Sequence, residues 1–381
     1  MSAVAILLSG CAQSAQTIGV PATGLPSAQA DAMGRPLRDL HNFSGATDGS
    51  VATSGVIQQS GKLYGVASQG GSGSSGVVYE STTGGKLRVL YAFPANGAAA
   101  FPDGGLLSRH GKLYGTTAYL DGSVYSVTPD GAFAIVHQFG GADGATPQGG
   151  LIDVHGTIYG TATSGGAHGS GVVFAIDPSG TERTVYDFGA TANDASSPAS
   201  RLTWWNGKLY GTTTTGGAYG GGTVYSLTLT GSEAILYSFG NGTDGKNPFC
   251  SGVTPFHGKL FGTTSGGGTH AEGVVFAISP SGSGGTIYNF GQQSNDGAAP
   301  MSGVIAYHGA LYGPAYQGGR NNEGAIFRIT ASGAEKTLYS FRGISDGSEP
   351  FGRLLAIGVQ LYGTAPAGGS NGDGTLYRFT P

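Results

Sequence analysis

Three observations predict that this 381-residue chain is an all-β, seven-bladed β-propeller of four-stranded antiparallel blades. One apolar segment returns seven times, the spacing of its copies is nearly constant, and a strand is left over at each end. The copies are "GKLYGVA" at Gly61, "GKLYGTT" at Gly111, "GTIYGTA" at Gly156, "GKLYGTTTT" at Gly207, "GKLFGTT" at Gly258, "GALYGPA" at Gly309 and "VQLYGTA" at Val359. Their aromatics, Tyr64, Tyr114, Tyr159, Tyr210, Phe261, Tyr312 and Tyr362, lie 50, 45, 51, 51, 51 and 50 residues apart. A period near 50 belongs to propellers and solenoids.

Each unit reads as four short strands with alternating apolar and polar residues, bounded by Gly, Pro, Asp and Ser. In the unit that begins near Gly105 they are "GLLSRH", "KLYGTT", "SVYSVT" and "FAIVHQF". No segment has helical periodicity. Before the second strand stand His110-Gly111, His155-Gly156, Asn206-Gly207, His257-Gly258 and His308-Gly309, with Ser60 at the same place in the first unit. A two-residue hairpin with positive φ at both positions needs such pairs, so these histidines read as turn residues and not as a metal ring. "TPDG", "DPSG" and "SPSG" between third and fourth strands are turn sequences too.

The third strand carries an aromatic at Tyr79, Tyr125, Phe174, Tyr225, Phe276, Phe327 and Tyr377. The fourth ends at Phe43, Phe93, Phe139, Phe188, Phe239, Phe290 and Phe341. Phe43 closes "LRDLHNF", a fourth strand with no first strand before it, and "GTLYRFTP" is a third strand with no fourth after it. Joining the two completes a seventh blade and removes the exposed edges of an open array, which selects a closed propeller over a solenoid. The Leu-Tyr-Gly aromatics are expected to pack between blades.

Composition narrows the function classes. Only 10% of residues are charged, the formal net charge is -4, and no Lys/Arg stripe occurs, so no nucleic-acid partner is expected. The 74 glycines punctuate apolar runs at regular intervals, unlike the pattern of disorder. "AVAILLSGC" (Ala3 to Cys11) resembles a lipoprotein-type signal peptide over residues 1–11. It makes Cys11 the expected lipid attachment site, followed by a flexible linker over 12–36 and the propeller over 37–381. No Lys or Arg precedes the apolar run, as expected if the natural start lies upstream of Met1. The second cysteine, Cys250, reads as a small buried residue.

The repeated "LYGTTxxGG…GxVF…PSG…LYxF" pattern over about Leu37 to Pro381 resembles the GloVer-type extracellular tandem-repeat proteins of bacteria. That resemblance implies an extracellular repeat protein with an anchor and brings no catalytic residues with it. Unit two departs from the pattern, with "AYLDGS" in place of the Gly-Gly loop, which predicts a notch on one rim.

Candidate function sits in the longer loops. The recurring acids Asp48, Asp143, Asp194, Asp244, Asp296 and Asp346, with Asn96 in the second unit, read as side chains capping their own turns. Departures from the repeat point elsewhere. In the loop after the second strand, His270, Glu272, Arg320, Glu323 and Asp373 fall on one sector of one face, the constellation best suited to a ligand. Oxygen donors from separate blades would suit Ca²⁺ better than Zn²⁺; no other cofactor is expected. Trp204-Trp205 could offer a stacking face to a sugar. No nucleophile elbow, zinc spacing, P-loop or dinucleotide fingerprint occurs.

The expectation is a monomeric, non-enzymatic binding or scaffold module, lipid-anchored in the bacterial envelope at the outer membrane or cell surface, that presents a loop-rich face to a glycan or an envelope protein. Two alternatives are a carbohydrate-active hydrolase or lyase using Glu272 and Glu323, and a purely structural repeat.

Overall fold

The computed structural model describes residues 36–381 except 96, 98 and 251; Cys11, the expected signal segment and the expected linker up to residue 35 lie outside the described residues. Seven four-stranded antiparallel sheets form, one per repeat. Blade 1 comprises Ile57–Gln59, Lys62–Ala67, Val77–Thr82 and Leu87–Ala92, hydrogen-bonded in that order. Blades 2 to 6 repeat this arrangement, their first strands being Leu107–Arg109, Ile152–Val154, Thr203–Trp205, Thr254–Phe256 and Ile305–Tyr307. Blade 7 takes Leu355–Ile357, Gln360–Ala365 and Thr375–Phe379 from the C-terminal end of the chain and Leu37–Asn42 from the N-terminal end. The closing pair is antiparallel, Leu37 opposite Phe379 and Asn42 opposite Thr375. The expected ring closure is therefore present.

The hairpin chemistry holds as read. Ser60, His110, His155, Asn206, His257 and His308 have φ of 44–50° or 52°, and each is followed by a glycine of positive φ. In blade 7 the pair is Gly358-Val359, where only the glycine is left-handed, as in a hairpin that asks for positive φ at its first position alone.

Blades adhere through seven apolar clusters, one at each interface between neighbours, and these clusters constitute the core. At each, the Phe ending one blade's fourth strand meets the third-strand aromatic of the next blade: Phe43–Tyr79, Phe93–Tyr125, Phe139–Phe174, Phe188–Tyr225, Phe239–Phe276, Phe290–Phe327 and Phe341–Tyr377, at centroid distances of 5.0–5.4 Å. Most of these contacts are edge-to-face, the arrangement that the ring quadrupole favours. The same third-strand ring lies across the glycine of Leu-Tyr-Gly in its own blade. A methyl group at Gly65, Gly115, Gly160, Gly211, Gly262, Gly313 or Gly363 would overlap Tyr79, Tyr125, Phe174, Tyr225, Phe276, Phe327 or Tyr377 respectively. The motif is thus a packing unit: Leu and Tyr enter the interface, and Gly makes room for the ring.

Main-chain staples add to the side-chain packing. One residue in each segment entering a blade, Val51, Phe101, Thr146, Ser197, Asn247, Ala299 or Glu349, has φ of 46–60°. Its N–H donates to a carbonyl in the preceding blade's loop between second and third strands: Asp373, Ser75, Asp121, Ser170, Gly221, Glu272 and Glu323 in turn. Those two kinds of loop therefore share one face, as expected for a propeller. The loop in blade 2 runs only from residue 118 to 122, against nine residues in every other blade, which is the shortening that "AYLDGS" predicts.

Candidate functional site in the axial channel

The first strand of each blade lies innermost, and the residues just before it wall the axis. Two positions upstream of the first strands stand Gly55, Gly105, Gly150, Arg201, Gly252, Gly303 and Arg353. Five glycines and two arginines thus share one structural position. Gly55 and Gly252 are required by close backbone approach, since a Cβ would meet the carbonyl oxygens of Arg353 and Arg201, respectively. Gly150 leaves the space into which the Arg201 side chain leans, 3.2 Å from where its Cβ would be. Gly105 faces open space and its φ is not left-handed, so nothing in the backbone demands glycine there.

The glycines enclose an axial cavity of about 110 Å³, lined from all seven segments, Thr53, Asp103, Gln148, Cys250 and Phe351 among them. Arg201, Thr203, Val253 and Arg353 line this cavity and also a second one of about 330 Å³, whose other walls include Leu107, Ile152, Trp204, Pro255 and the carboxylate of Asp153, which is paired with Arg109 at 2.6 Å. The two arginines therefore stand at a waist between two chambers. Both reach solvent through the channel although protein surrounds them.

Each guanidinium is held by carbonyl or hydroxyl oxygen. Arg201 Nε donates to the Leu151 carbonyl at 3.3 Å, and Arg353 Nη2 to Thr254 Oγ1 at 3.0 Å and to the Val304 carbonyl at 3.5 Å. Thr254 in turn donates to Val304, so the arginine joins an existing inter-blade bond. Among the described residues no carboxylate lies within 4 Å of either guanidinium. Burial lowers both, and the neighbouring Arg201 charge helps to bring Arg353 down to about 10. Asp103, the carboxylate on the first chamber's wall, receives Thr53 Oγ1 at 3.5 Å and bonds to Gln148, and burial raises it to about 6. Cys250 lies half-buried on this wall and not in the apolar core, so its expected role as a small buried residue is corrected to a channel-lining one.

Residues 118–305 and 285–381 match the family model described as Gloeobacter/Verrucomicrobia repeat. The chain belongs to that family. No curated protein matches it. Among solved structures, a streptogramin B lyase is 14% identical with a TM-score of 0.62, over 90% of this chain and 96% of that one. A computationally designed protein, Ika8, is 12% identical with a TM-score of 0.49 over 88% and 98%, and a gluconolactonase-like protein is 12% identical with a TM-score of 0.44 over 73% and 88%. At such identities the lyase shows the fold alone.

In this member of the repeat family, the loop residues singled out from sequence are spread over three blades, His270 and Glu272 on blade 5, Arg320 and Glu323 on blade 6 and Asp373 on blade 7. His270 is exposed, and it and Glu272 flank Gly291 of their own blade. Glu323 lies against Gly343 and Asp373 against Gly45 in the same way. The backbone carbonyls of Glu272, Glu323 and Asp373 belong to the inter-blade staples described above. Arg320 lines a wide surface depression together with Arg342 and Glu335. The two tryptophans part company: Trp204 packs at the interface of blades 3 and 4 and Trp205 at that of blades 4 and 5.

Five of the six recurring aspartates cap their turns, while Asp244 accepts the N–H of the following Gly245 at 2.8 Å and Thr286 Oγ1 of its neighbouring blade at 3.2 Å. Asp48, Asp143, Asp194, Asp296 and Asp346 accept the N–H of Ser44, Gly140, Gly189, Gly291 and Arg342 at 2.7–2.9 Å. They also accept from an aromatic or histidine on their own blade's fourth strand: His41, His137, Tyr186, Tyr288 and Tyr339 respectively. At three interfaces a glutamate of the next blade joins the group. His137, Asp143 and Glu182 place one ligand atom each within 4.8 Å of the others. Tyr288 Oη donates to Asp296 at 2.7 Å and lies 3.2 Å from Glu335 Oε2. Burial, aided by the facing aspartate, pushes Glu182, Glu233 and Glu335 each up to about 7.

Proposed function

We propose that this chain is a non-enzymatic ligand-binding propeller that receives its ligand in the axial channel, held in the bacterial envelope through Cys11. One observation carries the binding reading: at the ring position where the repeats otherwise place glycine, blades 4 and 7 carry arginine. Repetition across blades serves folding, whereas these two long charged side chains occur in only two blades, and each commits a single nitrogen to inter-blade bonds. Hydrolysis by paired acids is less well supported. Such chemistry needs two carboxylates about 5–10 Å apart across one substrate, and the channel's two, Asp103 in the first chamber and Asp153 in the second, are held by Thr53 and Gln148 and by Arg109 respectively. The envelope and anchor reading rests on the Leu8-Ser9-Gly10-Cys11 order alone.

Two variants of the full chain test the location. Gly105→Phe projects a ring into the channel from a position where a Cβ meets nothing within 4 Å, while Glu272→Gln with Glu323→Gln alters only the rim. A screen of glycans and small acids, read by the rise in melting temperature that selective binding to the folded state must produce, is expected to lose its hits in Gly105→Phe and keep them in the rim pair. Hits that survive Gly105→Phe overturn the channel reading. Glycoside turnover that disappears in the rim pair would restore the hydrolase.

A further inference from the structure

We propose that the channel waist is an oxyanion site, at which Arg201 and Arg353 together clasp a carboxylate, sulfate or phosphate group carried by the ligand. The inference rests on the channel being the binding site and adds the chemistry of what it binds. Both arginines leave the same ring position, from blades 4 and 7, which lie on opposite sides of the axis in a seven-membered ring. Their anchoring bonds use Nε of Arg201 and Nη2 of Arg353, so among the described residues the Nη groups of Arg201 and the Nε and Nη1 groups of Arg353 donate to no protein acceptor and can turn to a ligand. A guanidinium presents its donors in a planar fork matched to oxyanions. Two such forks without a carboxylate counter-ion repel each other more strongly in a protein-walled channel than in bulk water, and a bound anion converts that repulsion into two attractions.

The chambers specify more of the ligand. The smaller one, about 110 Å³ against about 330 Å³, is walled by glycines and short side chains around the arginines and suits a compact head group. Beyond the waist, the chamber of about 330 Å³ offers Leu107, Ile152, Trp204 and Pro255 to a larger body. The fitting ligand is an acid whose anionic end reaches the arginines while a ring or short chain rests against Trp204. The carboxylate on the first chamber's wall, Asp103, is turned to Thr53 and Gln148, and the one on the second chamber's wall, Asp153, is paired with Arg109 at 2.6 Å, so neither is committed to Arg201 or Arg353.

The experiment is a calorimetric and melting-temperature titration of the full chain with sodium sulfate, inorganic phosphate, glucuronate and glucose at constant ionic strength. It is run on the wild type, Arg201→Gln, Arg353→Gln, the double variant and Gly105→Phe. At least one of the three anions should bind saturably and glucose at least tenfold more weakly than glucuronate; each single substitution should weaken the anion tenfold or more, and the double should abolish it. Which of the three binds most tightly distinguishes the carboxylate, sulfate and phosphate sources. In the absence of any anion the double variant should melt at a higher temperature than the wild type, because the mutual repulsion is gone. Anion binding unchanged in the double variant, or glucose equal to glucuronate, overturns the oxyanion site. If binding is lost in Gly105→Phe but kept in the arginine variants, only the oxyanion inference falls; if Gly105→Phe also binds every ligand as the wild type does, the channel reading falls with it.

Discussion

At the scale of single residues, the fold depends on a contact that recurs in every blade, a third-strand ring lying over a glycine. Gly211 has no left-handed φ, so its reason for being glycine is space alone: a methyl would stand 2.5 Å from the Tyr225 hydroxyl. Gly211→Ala is expected to cost about 1–3 kcal/mol, the range for overpacking a filled core, as read from the urea midpoint. Removing the atom on the other side of the contact should do the reverse. Among the described residues nothing accepts from the buried Tyr225 hydroxyl, and blades 3, 5 and 6 already use Phe at this place. Tyr225→Phe should therefore be neutral or stabilising by up to about 1 kcal/mol, and a loss of stability would reveal a partner for that hydroxyl.

At the scale of elements, the N-terminal strand Leu37–Asn42 is the one whose contacts are almost all distant in sequence. It pairs with Thr375–Phe379, Asn42 Oδ1 accepts the Ser370 N–H at 2.8 Å, and Phe43 fills the interface with blade 1. A chain lacking everything up to Phe43 should present a bare strand edge in blade 7. It is expected to melt lower and to self-associate on gel filtration, with both defects reversed by a synthetic Leu37–Phe43 peptide. A truncated chain that stays monomeric with an unchanged midpoint would show the strand to be dispensable. This element was legible in the sequence, along with the blade count and the hairpins, because each feature was written seven times and the gaps at the ends could be matched. Arg201 and Arg353 were not. Each looks like a single deviation inside a Gly/Ser-rich approach to a strand, and its importance depends on knowing that this position faces the axis and that the two converge there. The loop acids Glu272, Glu323 and Asp373 drew notice because they cluster in consecutive repeats, yet consecutive blades spread a ring of side chains around a rim, whereas axial positions bring all seven repeats together.

At the scale of the whole molecule, three interfaces hold carboxylates in opposition: Glu182 against Asp143, Glu233 against Asp194 and Glu335 against Asp296. Each glutamate, raised from its ordinary value near 4.5 to about 7, binds its proton more tightly in the folded ring than in the unfolded chain. Its contribution is complete below about pH 4.5 and is lost as the pH rises through about 7. The melting temperature should consequently fall between pH 5 and pH 8. Glu233→Gln should raise it at pH 8 and leave it unchanged at pH 5, and a profile identical to that of the wild type would rule out this source of the pH dependence. Interfaces without the glutamate are differently built: at blades 1 and 2, Phe133 stacks on Tyr91 at 4.2 Å, an apolar contact with nothing to titrate. Acid therefore tightens some seams of the ring and leaves others as they are.

The closing strand also determines how the ring bears load. Leu37 lies opposite Phe379, and just outside that pair the Thr380 N–H donates to the Pro36 carbonyl at 2.7 Å, so both ends of the described chain leave the ring side by side. Tension between those ends reaches one hydrogen bond at a time, beginning with Thr380 and Pro36 and peeling toward Asn42. Tension between two loops of a blade must slide whole strands past one another. The ring is thus mechanically weakest where its circle is completed, and it opens there, within blade 7, before any other blade is torn.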